Sequence, residues 1–174
     1  IPDEPDVLSA EVVGSRFCYQ GEEYFVPLGG LHQVYNAATA LEAVKAVGIT
    51  VPTATIREGL ASVRFPSRVE VLGQAPLVLL DGGHNPAEAA ALAATLDTLR
   101  GRRIHAVMGM LADKDVEACL AAVLPHCARL TAVTPDYPRA MAGAPLAEIA
   151  RRYCHAVRAV SYTPPTLPPT CPGL

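Results

Sequence analysis

Lysine is almost missing from this chain. Lys45 and Lys114 are the only two, and arginine carries the rest of the positive charge. With a formal net charge of −3, non-specific attraction to nucleic acid or to an anionic membrane is not expected. No apolar run approaches the length of a membrane span, and no signal-peptide pattern is present. The five cysteines (Cys18, Cys119, Cys127, Cys154 and Cys171) are odd in number, scattered and never spaced C-x-x-C. That pattern argues against a disulfide framework and a zinc site, and the expectation is a cytoplasmic protein with reduced thiols. His32, His105, His126 and His155 lack metal-ligand spacing and are expected to be structural or exposed. Two phosphate-binding signatures are absent as well. Nothing matches G-x-x-x-x-G-K-[ST], and no G-x-G-x-x-G follows a first strand.

What is present is a chain rich enough in apolar residues to bury a substantial core, 51% of its 174 residues being hydrophobic. It opens on Ile1 and closes on "YTPPTLPPTCPGL", with five prolines in the last eleven residues. Both ends read as those of a fragment, and residues 163–174 as a disordered proline-rich tail. Early on, "AEVVG", "RFCY" and "YFVPL", separated by "GS" and "QGEE", suit a small antiparallel sheet. Val34, Ala37, Ala38, Leu41 and Val44 then recur at helical spacing, with Gly48 as the residue beyond the helix end. A second helix is predicted over 53–62 with Thr53 as N-cap, and the loop at 64–68 is the candidate domain boundary.

From Arg68 the rhythm changes. Strands are predicted at 68–72, 76–81, 103–109, 129–134 and 156–160, with helices at about 86–99, 114–124 and 145–154 between them. That alternation specifies an α/β fold: a Rossmann-like, mostly parallel sheet with helices on both faces. Within it, "DGGHNP" (residues 81–86) follows the apolar run "APLVLL". Asn85 as N-cap, Pro86 at the first helical position and Glu88 two residues on make a good helix start. Capping leaves Asp81 and His84 unexplained. They lie at the carboxyl end of a strand, where open α/β sheets place their ligands.

Three segments together resemble the Mur-ligase superfamily, and within it folylpolyglutamate synthase/dihydrofolate synthase. "LGGLHQVYNAATALEAV" looks like the family's G-x-H-Q…N-A helix, "FPSRVEVL" like its P-G-R-x-E linker, and "LLDGGHNPAEAAAL" like its D-G-A-H-N-P junction. "MGMLADKD" is similar to a fourth segment on the next strand, so the resemblance spans about residues 10–160. It implies that residues 1–64 are the end of a central ATPase domain and 65–162 an incomplete C-terminal domain. It also implies that Asn36 meets the nucleotide base, that Arg68 is the interdomain arginine contacting ATP, and that Asp81 contacts ATP through ribose. His84 would face the cleft and take part in the glutamate-adding chemistry. Ser67 stands where the family usually has glycine, and if that position needs a positive φ, serine costs about 1 kcal/mol there. Lys114 and Asp115 read as a helix start behind Asp113 as N-cap, while Arg139 sits in a loop after a strand end, open to ligand or to solvent.

The reaction implied is ATP-driven amide formation: a γ-phosphate passes to a folate carboxylate, and the amine of L-glutamate attacks the resulting acyl phosphate. ATP and Mg²⁺ are the implied cofactors, folate or dihydropteroate and L-glutamate the other small-molecule partners, and the parent is expected to be monomeric. The P-loop and the magnesium ligands are expected before Ile1, so no residue here is assigned to metal and the chain by itself is expected to be inactive. Two alternatives stay open: a fragment of a peptidoglycan Mur ligase, and a non-catalytic α/β binding module.

Overall fold

The computed structural model describes residues 1–160, so the proline-rich tail and Cys171 lie outside the described residues. The chain forms two compact units, Ile1–Arg102 and the residues from Arg103 onward.

In the first unit, β1 (Asp6–Glu11), β2 (Gly14–Tyr19) and β3 (Glu22–Val26) form an antiparallel meander in the order β1-β2-β3. The expected "GS" turn does not occur. The chain turns at Val12 and Val13 instead, because Gly14 and Ser15 pair with Glu11 and Ala10 in the ladder. Gln20 and Gly21 connect β2 to β3 with φ of 51° and 81°, the two positive angles that a tight hairpin turn requires. Helix α1 (Leu31–Ala46) lays Val34, Ala37, Ala38 and Leu41 against Phe17, Tyr19, Tyr24 and Val26 of the sheet, the spacing the sequence predicts. Ile56 and Leu60 of α2 (Thr53–Ser62) close the edge of this core. Pro52, not Thr53, occupies the capping position of α2, so Thr53 is already helical and makes no side-chain cap.

The unit continues with β4 (Glu70–Gln74), β5 (Leu77–Leu80) and α3 (Pro86–Leu96). The two strands pair antiparallel with each other and are not members of the parallel sheet. Only Ala75 and Pro76 separate them, far too few residues for the crossover that parallel pairing needs. Helix α3 stops at Leu96 and tightens into a 3₁₀ turn at Asp97–Leu99, short of the expected end at 99. Gly30 is needed where α1 and α3 meet. Its φ is 98°, and a Cβ there would lie 2.4 Å from Thr95 Oγ1, closer than any side chain tolerates.

The second unit is the α/β sheet. Strands β6 (His105–Met108), β7 (Arg129–Val133) and β8 (Val157–Val160) run parallel in the order β6-β7-β8. Helices α4 (Val116–Val123) and α5 (Gly143–Ala150) make the crossovers. Leu120, Leu124, Leu130, Ala132, Leu146 and Ala150 are fully buried. The N-cap of α4 is Asp115, which accepts from the Ala118 amide at 3.1 Å. Asp113, expected in that role, instead pairs with Arg139 at 2.5 Å. Arg139 also lies over the Tyr137 ring, so both groups are engaged in an exposed loop. The mixed α/β architecture with a parallel sheet and covering helices is the one the sequence predicts.

Candidate functional site

Asp81 organises the loop that follows β5. Its Oδ1 accepts from the Gly83 amide at 2.8 Å and its Oδ2 from the Val69 amide at 3.0 Å, while the Gly82 amide donates to the Ser67 carbonyl at 2.8 Å. Gly83 lets its own amide come this close, since a Cβ there would sit 2.7 Å from Asp81 Oδ1. These bonds hold Ser67 and Val69 at φ of 60° and 48°. Neither residue suits the left-handed region, and a β-branched valine suits it least. The linker is thus pinned on both sides of Arg68. Since Ser67 does adopt the positive φ that the glycine of the family motif would allow, Ser67→Gly is expected to stabilise the chain by about 1 kcal/mol; urea unfolding of the two proteins checks it.

Asn85 caps α3 as the sequence predicts, its Oδ1 accepting from the Glu88 amide at 3.0 Å. The Glu88 carboxylate reaches back to the amide of His84, at 2.9 Å, one residue earlier than a standard capping box. Its other oxygen pairs with Arg68 Nη1 at 3.0 Å. The hydrogen bond from the His84 amide and the charge of Arg68 hold the Glu88 carboxyl below its usual range against an opposing push from burial. Arg68 also stands over the Phe65 ring, 5.7 Å from its centroid.

A cavity of about 300 Å³ opens among these residues, lined by His32, Asn36, Phe65, Arg68, Asp81 and Glu88. Three of the four sequence candidates, Asn36, Arg68 and Asp81, therefore meet in one place. The fourth, His84, is not part of the lining. Its ring is half exposed, and Nδ1 lies 3.1 Å from the Gly82 carbonyl, which requires a proton on that nitrogen. His32 belongs to the cavity, although the sequence marks it only as structural or exposed. Burial lowers its pKa, Asp81 partly restoring it and Arg68 depressing it further, so the ring is largely neutral at pH 7. The Gln33 amide approaches His32 Nε2 at 3.1 Å, and Asn36 Nδ2 donates to Gln33 Oε1 at 3.1 Å. The helical spacing of His32, Gln33 and Asn36 was the available signal for this chain of contacts. Among the described residues, no group of three or more His, Cys, Asp or Glu side chains could hold a metal ion, and no helix is long and apolar enough to cross a membrane.

An arginine, a carboxylate and an amide thus line one cavity, a set of groups of the kind that can meet anions and hydroxyls. Residues 67–165 match the family described as Mur ligase, glutamate ligase domain, and the chain belongs to that family. The dihydrofolate synthase/folylpolyglutamate synthase of Mycobacterium tuberculosis is 37% identical over 125 residues, covering 68% of this chain and 26% of that protein. The structure of Mycobacterium tuberculosis folylpolyglutamate synthase complexed with ADP superposes with a TM-score of 0.80 at 34% identity, over 92% of this chain and 38% of that one. A Yersinia pestis bifunctional folylpolyglutamate synthase/dihydrofolate synthase, complexed with AMPPNP and a Mn ion, gives 0.70 at 26% identity, over 84% of this chain and 35% of the other. The chain thus spans about a quarter of the length of the curated relative.

Proposed function

We propose that this stretch supplies one wall of the nucleotide site in an ATP-dependent ligase that adds L-glutamate to folate, a tetrahydrofolylpolyglutamate synthase with or without dihydrofolate synthase activity. The observation that carries the proposal is the shared cavity of Asn36, Arg68 and Asp81, three residues from separate elements. The donor set suits a nucleotide. A carboxylate has about four lone-pair positions, and Asp81 commits two of them to backbone amides, which leaves capacity for ribose hydroxyls. Arg68 presents a planar fork of N–H donors to phosphate oxygens, and Asn36 offers both an acceptor and a donor to the edge of a base. At about 300 Å³ the cavity is at the small end for ligand sites and takes part of a nucleotide.

His84, on the exposed side of the same junction, is assigned to the glutamate-adding step. Magnesium, the divalent ion such a reaction would use, is assigned to no residue of this chain, and no step is routed through it. We place the domain boundary in the 64–68 loop, with residues 1–64 ending an ATPase domain and 65–162 belonging to the C-terminal domain; the family match beginning at residue 67 supports it. A monomeric, cytoplasmic parent acting on folate or dihydropteroate completes the reading. A peptidoglycan ligase is the weaker reading because "DGGHNP" favours the folate branch.

A polypeptide of the relatives' length carrying this stretch is expected to release ADP from ATP and a folate only when L-glutamate is added. Turnover with a muramyl-peptide acceptor and none with folate would overturn the assignment. The 174-residue chain alone is expected to release no ADP under the same conditions, because nothing in it matches a P-loop.

A further inference from the structure

We propose that Glu88 is an internal rival for Arg68: its carboxylate engages Arg68 Nη1 and competes with phosphate oxygens for the guanidinium. The proposal rests on the nucleotide reading of the cavity and adds a control on it. Glu88 uses its two oxygens differently. One accepts the His84 amide at 2.9 Å and belongs to the helix start; the other meets Arg68 Nη1 at 3.0 Å and lines the cavity. The first bond survives if the second is exchanged, so an incoming oxyanion can take Arg68 without undoing α3. The bond from the His84 amide keeps the Glu88 carboxylate at the helix start, within reach of Arg68. A glutamine keeps an acceptor for the His84 amide and removes the charge, so the variant preserves the junction.

The test titrates the 174-residue chain, wild type and Glu88→Gln, with ADP, adenosine and inorganic tripolyphosphate, following chemical shifts by NMR into the millimolar range. ADP and tripolyphosphate are expected to bind the variant about three- to tenfold more tightly, with adenosine unchanged and the gain absent in an Arg68→Ala background. ADP binding that is equal or weaker in Glu88→Gln, or an adenosine gain of the same size, overturns the proposal while leaving the nucleotide site standing. ADP that binds neither protein overturns the nucleotide reading. In that case tighter tripolyphosphate binding by the variant still supports the rivalry at Arg68, and unchanged binding overturns it too.

Discussion

Asp81→Ala is expected to destabilise the chain by about 2–4 kcal/mol, lowering its melting temperature by roughly 5–15 °C. Two backbone amides lose their acceptor at once. The Val69 amide belongs to a residue only 3% exposed, so water cannot replace Asp81 there and the full desolvation penalty applies; the Gly83 amide is partly exposed and contributes less. Release of the left-handed Val69 backbone offsets some of this loss, which is why the estimate stays below the sum of two fully buried unsatisfied donors. Asp81→Asn should fall between, since its one carbonyl oxygen can serve one amide while its NH₂ faces the other. Circular dichroism during thermal unfolding reads both variants. Asp113→Ala, which removes an exposed pair with Arg139, serves as the control and should melt like the wild type. An Asp81→Ala protein that also melts like the wild type would show that the carboxylate does not pin the linker. Because the same carboxylate lines the cavity, the residue assigned to ligand and the residue that sets the linker are one.

That double role explains why part of the site could be read from sequence and part could not. Asn36 and Arg68 were singled out only through the resemblance of their segments to the folate ligases, whereas Asp81 was legible from local chemistry, a carboxylate beyond an apolar strand. The capping by Asn85 and Pro86 was legible for the same reason, being a matter of a few adjacent residues. His32 was not, because its place in the cavity depends on how α1 packs against α3, and that contact turns on the close approach allowed by Gly30. Glu88 was visible only as a capping residue; its reach to Arg68 spans twenty positions and follows from the hairpin of β4 and β5. The sequence places the strands at 68–72 and 76–81, and only the observed ends at Gln74 and Leu77 reveal the two-residue connection of a hairpin. Asp113 and Asp115 are chemically equivalent as N-caps, so only the ion pair with Arg139 decides between them.

Arg68→Ala is expected to weaken ADP binding by about 10- to 100-fold, the loss of charge-assisted hydrogen bonds to phosphate oxygens. Its effect on stability should be small. The pair with Glu88 is about one-third exposed on each side, and such a pair contributes little once solvent screening is counted. The contrast with Asp81→Ala is the point of the experiment: one substitution removes an acceptor for two backbone amides, the other a cavity-lining donor. Arg68→Lys should recover only a minor part of the affinity, because a single ammonium cannot present two parallel donors to a phosphate. NMR titration with ADP, with adenosine as the uncharged reference, measures the loss. Equal weakening of both ligands would place Arg68 at the base or ribose or make its role indirect; weakening of ADP alone would place it at the phosphates. With Arg68 absent, Glu88 has nothing to withhold, so Glu88→Gln should then leave ADP affinity where Arg68→Ala alone puts it. The two substitutions are predicted to be non-additive for ADP in that direction.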